Sequence, residues 1–190
     1  MRRAAAVACA ALIISVPAFA ADPLYTLQHE TMLPSSNSGW DYIRYDPTKG
    51  RLFLDRRADG LTVFDVNRQR ALGQVENSKN ANGVLLLPEF NRGYVAMTDG
   101  NVLVFNLATL KQINRFKVDD GDLNSAIYDP STKRVHVIVG SRPELTTWIT
   151  LDGASGKVLR RTQFASKKMD DPAVDGKGHI FAPMRDNNVI

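Results

Sequence analysis

The sequence predicts an all-β protein: a β-propeller of four-stranded antiparallel blades, with about four blades present and the ring incomplete. Three observations predict it. A seven-residue segment recurs, beginning at Asp41, Asn82, Asn124 and Asp170, and these starts lie 41, 42 and 46 residues apart. Each copy continues as short apolar runs separated by tight-turn residues, which is the period and rhythm of a propeller blade. No stretch of ten or more residues keeps a helical period, and the runs are rich in β-branched and aromatic residues.

The first residues are set apart from the fold. Met1-Arg2-Arg3 is a short cationic start, Ala4 to Val16 is apolar, Pro17 breaks the run, and Ala18-Phe19-Ala20 places small residues at the −3 and −1 positions of a leader-peptidase site. The expectation is a signal peptide over 1–20, cleaved after Ala20, and a periplasmic or secreted bacterial protein. The apolar run is shorter than the roughly 20 helical residues that a bilayer requires, so no transmembrane segment is expected in the mature chain. Cys9, the only cysteine, leaves with the leader, which excludes disulfides, thiolate metal sites and cysteine nucleophiles from the mature protein. Arg2 and Arg3 leave too. The remaining 22 basic and 20 acidic residues are nearly balanced, which argues against a dedicated polyanion binder on net charge alone.

Residues 21–39 read as an N-terminal strand and linker, and 40–190 as blades over approximately 40–80, 81–122, 123–168 and an incomplete 169–190. Within a blade the first strand is the recurring segment itself, as in Asp41 to Pro47. Second strands are Leu52 to Leu54, Tyr94 to Met97, Val135 to Val139 and Ile180 to Pro183. Third strands are Leu61 to Val66, Val102 to Leu107 and Thr147 to Leu151; fourth strands are Ala71 to Val75, Gln112 to Phe116 and Val158 to Phe164. The pairs Asp65…Leu72, Asn106…Ile113 and Asp152…Leu159 repeat one seven-residue separation in the outer half of each copy.

The phrases Tyr128-Asp-Pro-Ser-Thr-Lys-Arg-Val-His-Val137 and Tyr45-Asp-Pro-Thr-Lys-Gly-Arg-Leu-Phe-Leu54 resemble the D-P-x-T-x-R-V-Y-V stretch of YVTN/YncE-like propellers. The resemblance runs from about residue 40 to the end. A literal Y-V-T-N is missing: the matching places read Leu52-Phe-Leu-Asp55, Val95-Ala-Met-Thr98 and Val137-Ile-Val-Gly140. The resemblance implies an exported, usually seven-bladed propeller, often without an assigned activity. Asn187 to Ile190 reads as the start of a third strand in the fourth blade, so the expectation is a fragment of a longer ring. The rival is a closed four-blade ring, in which Leu24 to Leu33 supplies the last strand.

Ligands of propellers usually meet the mouth of the central channel, where the innermost strands begin. The repeat puts Asp41, Asn82, Asn124 and Asp170 there, a ring able to hold a cation or a polar ligand, with Trp40 and Tyr42 as an aromatic wall. Asx residues at such places also satisfy backbone donors in turns, and aromatics there also pack between blades; both readings stand. Asp119-Asp120-Gly121-Asp122 lacks the alternation of a calcium loop, and His29, His136 and His179 lack metal-ligand spacing, so no metal and no cofactor are expected. Loops joining strands one to two and three to four share a disk face and carry Lys49, Arg51, Arg68, Arg70, Arg92, Lys111, Lys133, Arg134, Lys157 and Lys177. Such a basic face steers an anionic partner; charged residues also populate any hairpin turn. The function expected is a scaffold binding an unknown protein or small-molecule ligand without catalysis of its own. The alternatives are a lactone- or ester-cleaving hydrolase or a quinone-dependent oxidoreductase on the same fold, or polyanion binding through the basic face.

Overall fold

The computed structural model describes residues 24–36, 39–187 and 190, so the expected leader over 1–20 and Cys9 lie outside the described residues. The chain divides into residues 1–30 and 31–190. In the first unit, the described residues 24–30 are exposed and form no strand. The expected strand over Leu24 to Leu33 is therefore not formed: these residues take part in no ladder, and an extended segment without one leaves its backbone to water.

The second unit opens with three four-stranded antiparallel sheets in strict up-and-down order. Blade one is β1 (Ile43–Asp46), β2 (Arg51–Arg56), β3 (Gly60–Asp65) and β4 (Arg70–Gln74). Blade two is β5 (Ala81–Leu87), β6 (Arg92–Met97), β7 (Asn101–Asn106) and β8 (Gln112–Lys117). Blade three is β9 (Leu123–Asp129), β10 (Arg134–Val139), β11 (Thr146–Asp152) and β12 (Val158–Phe164). A fourth sheet pairs only β13 (Ala173–Val174) with β14 (Ile180–Phe181). Asn187, expected to begin a third strand there, lies in a turn, and residues 188–189 are outside the described set. Among the described residues no helix is long and apolar enough to cross a membrane.

Turn chemistry explains the hairpins. Asp46 Oδ1 accepts from the Thr48 N–H, Asp129 Oδ1 from Ser131, and Asp175 Oδ1 from Lys177, all two residues on. The aspartates of the Asp46-Pro47 and Asp129-Pro130 phrases, and Asp175 before Gly176, are thus Asx caps of the turn between the first two strands. Asp65, Asn106 and Asp152 cap the turn between the last two in the same way, and Gln69, Leu110 and Gly156 close it in the left-handed region.

Period-two alternation in the middle strands builds the core. Val95 and Met97 in β6 point to blade one and pack with Phe53, Leu61 and Val63. Their neighbours Tyr94 and Ala96 point to blade three and pack with Val135, Val137 and Ile149. Gly83 lets blades two and three approach closely: a Cβ there would sit 2.4 Å from the Asn124 carbonyl oxygen.

The outermost strands are exposed, and each is bulged at one place. The ladder skips Leu72 in β4, Ile113 in β8 and Leu159 in β12. These are the residues of the seven-residue spacing, and each is about half exposed. A bulge twists an edge strand away from flat pairing, so the repeated spacing marks protection of the blade edges.

Candidate channel-mouth site

The polar groups at the strand starts are largely occupied by hydrogen bonds between neighbouring blades. Asn82 is buried; its Nδ2 donates to the Leu123 carbonyl at 2.8 Å, and its Oδ1 accepts from Arg57 Nε at 2.8 Å. One blade on, Asn124 Nδ2 donates to the Met169 carbonyl at 3.2 Å and to Asp170 Oδ1 at 2.6 Å. Leu123 and Met169 each directly precede the next blade's ring residue, so this is one clamp used twice. Asp41 has no donor to offer the next blade. Arg57 substitutes for it, donating to Asp41 Oδ2 at 2.5 Å while holding Asn82.

The circuit continues beyond the four ring residues. Arg185 Nη1 donates to Asp170 Oδ2 at 2.8 Å. Arg44, on β1, reaches Asp171 Oδ1 at 3.4 Å, joining blade one to the segment leading into β13. Its guanidinium lies 5.9 Å from the centre of the half-buried Tyr42 ring. Burial raises the Tyr42 phenol above its ordinary range, and the charges of Asp171, Asp170 and Asp41 add to the effect. Tyr42 therefore stays a neutral donor at the mouth. Trp40 is placed otherwise than the wall reading requires: the Arg56 guanidinium covers its ring at 4.9 Å, and its Nε1 donates to Ser35 Oγ at 3.4 Å.

Asp55, on β2, is the unusual group of this region. It is buried, and its Oδ2 accepts from the Val84 N–H at 2.9 Å across the seam to blade two. Its Oδ1 has no hydrogen-bond partner. Desolvation pushes this carboxyl well above 3.8, and Asp41 pushes the same way.

The ring can hold blades in register, and its rim presents guanidinium, carboxylate and phenol groups for polar recognition. Among the described residues no group of three or more His, Cys, Asp or Glu side chains is arranged to hold a metal ion. On the basic face, Lys49, Arg70, Lys111, Lys133, Arg134, Lys157 and Lys177 are exposed, and Arg92 is half-buried. Arg68 is exposed but ion-paired with Asp65 at 2.8 Å. Arg51 does not belong to that face. It is buried, ion-paired with Asp46 at 2.8 Å and hydrogen-bonded to the Leu107 carbonyl, because a guanidinium drawn into a seam needs those acceptors.

The strand-start alignment found the ring but not Arg44, Arg57, Asp171 or Arg185, the long and charged side chains that complete it. The signal available was proximity in sequence: Asp171 adjoins Asp170, and Arg57 and Arg185 follow the second strand of their blades.

No protein-family model and no curated protein sequence matches the chain. The fold is similar to that of a solved structure described as Kuenenia stuttgartiensis hydrazine synthase, with a TM-score of 0.59 at 15% identity. The match covers 70% of this chain and 38% of that one, so the chain spans well under half the length of that relative. At this identity the likeness is one of fold.

Proposed function

We propose that the chain is an exported, YVTN/YncE-like propeller of the bacterial periplasm, a rigid scaffold that binds a polar ligand or a protein partner at its channel mouth without catalysis of its own. The observation that carries the reading is the interblade circuit. Asn82, Asn124, Asp41 and Asp170 spend their hydrogen-bonding capacity on fixing the blades, which preorganises the rim that Arg44, Asp171, Tyr42 and Arg185 present. Preorganised groups lose less entropy on binding, so a stiff rim favours recognition. A second reading, attraction of an anionic envelope surface to the other disk face, is supported by the exposed Lys49, Lys111, Lys133, Lys157 and Lys177.

The test uses the full chain expressed with its N-terminus in a Gram-negative host, carrying a photocrosslinking residue at Tyr42 or, separately, at Leu72 on a blade edge. The expected result is a periplasmic protein whose first residue is Ala21, with adducts from position 42 and none from 72. A protein that keeps its first 20 residues in the cytoplasm overturns export. Equal adducts from both positions overturn the mouth as the binding surface. Adducts lost steeply with added salt, and unaffected by Arg44→Ala, favour the basic face.

A further inference from the structure

Asp55 departs from the pattern of the repeat. The ladders align it with Ala96 in blade two and Ile138 in blade three, opposite Leu61, Val102 and Trp148 respectively. Ala96 and Ile138 are fully buried and Asp55 is 1% exposed, so a carboxyl occupies a position that the other blades keep apolar. It lies near the end of β2, where blade one meets the start of β5. There the backbone of Arg57 bridges to Ala81, and the Asn80 N–H donates to the Arg57 carbonyl at 2.7 Å. The Arg57 side chain holds Asn82 and Asp41 in the clamp of the channel mouth.

The surroundings of this carboxyl suit its neutral form. Oδ2 accepts from the Val84 N–H at 2.9 Å, which ties the two blades together, and Oδ1 has no hydrogen-bond partner. Its own blade brings Leu61 from β3 and Tyr42 from the start of β1, whose carbonyl accepts from the Asp55 N–H at 3.0 Å. The blade-two residues packed with Phe53 and Leu61 are apolar, Val84, Val95 and Met97 among them. Of the charged groups, Asp41 opposes ionisation of Asp55 and Arg44 favours it, but Arg44 is shared with Asp171. Arg57 is committed to Asp41, and Arg51 and Asp46, at the other end of β2, are paired with each other. A carboxylate buried with a single N–H donor is far costlier than the acid in the same place. Burial accordingly holds the Asp55 carboxyl well above the ordinary range.

We infer that Asp55 is a proton-operated latch on the seam between blades one and two: as the acid it lets β5 close on β2, and loss of its proton to solvent releases Val84 and Asn82. Opening the seam returns the carboxyl to water and to its ordinary acidity. The closed seam is therefore favoured fully below about pH 4 and loses that advantage as pH rises through the closed-seam pKa. Val84 and Asn82 share β5, so release at Val84 also draws the Asn82 amide from the Leu123 carbonyl and from Arg57. A slackened rim binds more weakly, because its groups must then be ordered on binding. That effect on ligand affinity rests on the proposed function, whereas the latch itself does not.

The experiment is amide hydrogen exchange of the full chain as a function of pH, read by NMR as protection factors, which divide out the intrinsic pH dependence of exchange. Protection of the Val84 amide should fall about tenfold per pH unit above about pH 4 and level off beyond the closed-seam pKa. Val104, on β7 with a strand on either side, should stay at least about tenfold better protected throughout, because it opens only with the whole blade. Asp55→Asn should make the Val84 protection independent of pH. In the wild type, the carbon-13 titration of the Asp55 carboxyl should have its midpoint where the fall levels off, which tests the latch whether or not the variant folds. Protection at Val84 that is flat with pH, the same fall in Asp55→Asn, a carboxyl midpoint elsewhere, or equal protection at Val84 and Val104 overturns the inference. No ligand enters the experiment, so the latch and the proposed function fail separately.

Discussion

The seam between blades one and two and the far side of blade three use the same strands and ladder positions, yet they are built oppositely. In the seam, Phe53, Leu61 and Val63 meet Val95, Leu103 and Phe105, all fully buried, with the two phenyl rings 5.9 Å apart. On the far side of blade three those positions carry His136, Trp148 and Thr150, flanked by Arg134 and Arg160. The backbone repeat is therefore indifferent to what its faces carry. The ladder needs only β-forming residues, and whether a face is dry or wet is decided by the side chains at three or four positions.

The strongest way to break the comparison is truncation on each side. Phe53→Ala should cost about 3–5 kcal/mol of unfolding free energy in urea, because it opens a cavity in a closed seam. His136→Ala should cost less than about 1 kcal/mol, since its ring borders an open cleft. Equal costs would mean that the blade-three face is as closed as the seam. Next in size is the clamp: Asn82→Ala strips the Leu123 carbonyl and Arg57 Nε of their partner and should cost about 1–3 kcal/mol by the same measurement.

Asp55 sharpens the contrast within the seam, as a buried carboxylate that reaches across it to the Val84 N–H. Its folded pKa lies above its unfolded value near 3.8, so it supports folding fully below that pH, and the support is lost as pH rises through the folded pKa. Asp55→Asn should remove this fall. The variant should gain stability on the wild type as pH rises above about 4, read as the difference between their urea midpoints, while the lowered carboxylates Asp46 and Asp129 titrate alike in both. A difference that does not change with pH would place the Asp55 pKa near its ordinary value. The smallest effect belongs to the bulges: Ile113→Thr should stay within about 0.5 kcal/mol, because the side chain is half exposed on an edge strand.

Most of the fold was legible because a propeller writes itself locally. The Asp-Pro turn phrases are Asx caps, the two-residue alternation separates the blade faces, and Leu72, Ile113 and Leu159 announce the bulges at a constant distance from the turn that precedes them. The site was half legible. Alignment of strand starts found Asp41, Asn82, Asn124 and Asp170, because equivalent positions in a repeat occupy equivalent places around an axis. It could not tell open ligands from clamps. That depends on which carbonyl of the next blade lies within 3 Å of a side-chain amide, a distance no spacing encodes. Arg51 shows the same limit: as a basic residue in a turn it reads as surface, yet Asp46, the Leu107 carbonyl and the Phe53 ring draw it inward.

The sequence by itself determined the repeat, the strands and the turns, since each is fixed by side chains acting within a few residues of one another. Only the tertiary structure decided what the polar groups are for. Asn82 is a clamp because Leu123, 41 residues away, offers it a carbonyl, and Arg134 is free because Thr132 has taken the carboxylate oxygen that its blade-one counterpart holds. A hydrogen bond is directional and each donor or acceptor serves only a few partners, so its assignment waits until the blades are packed.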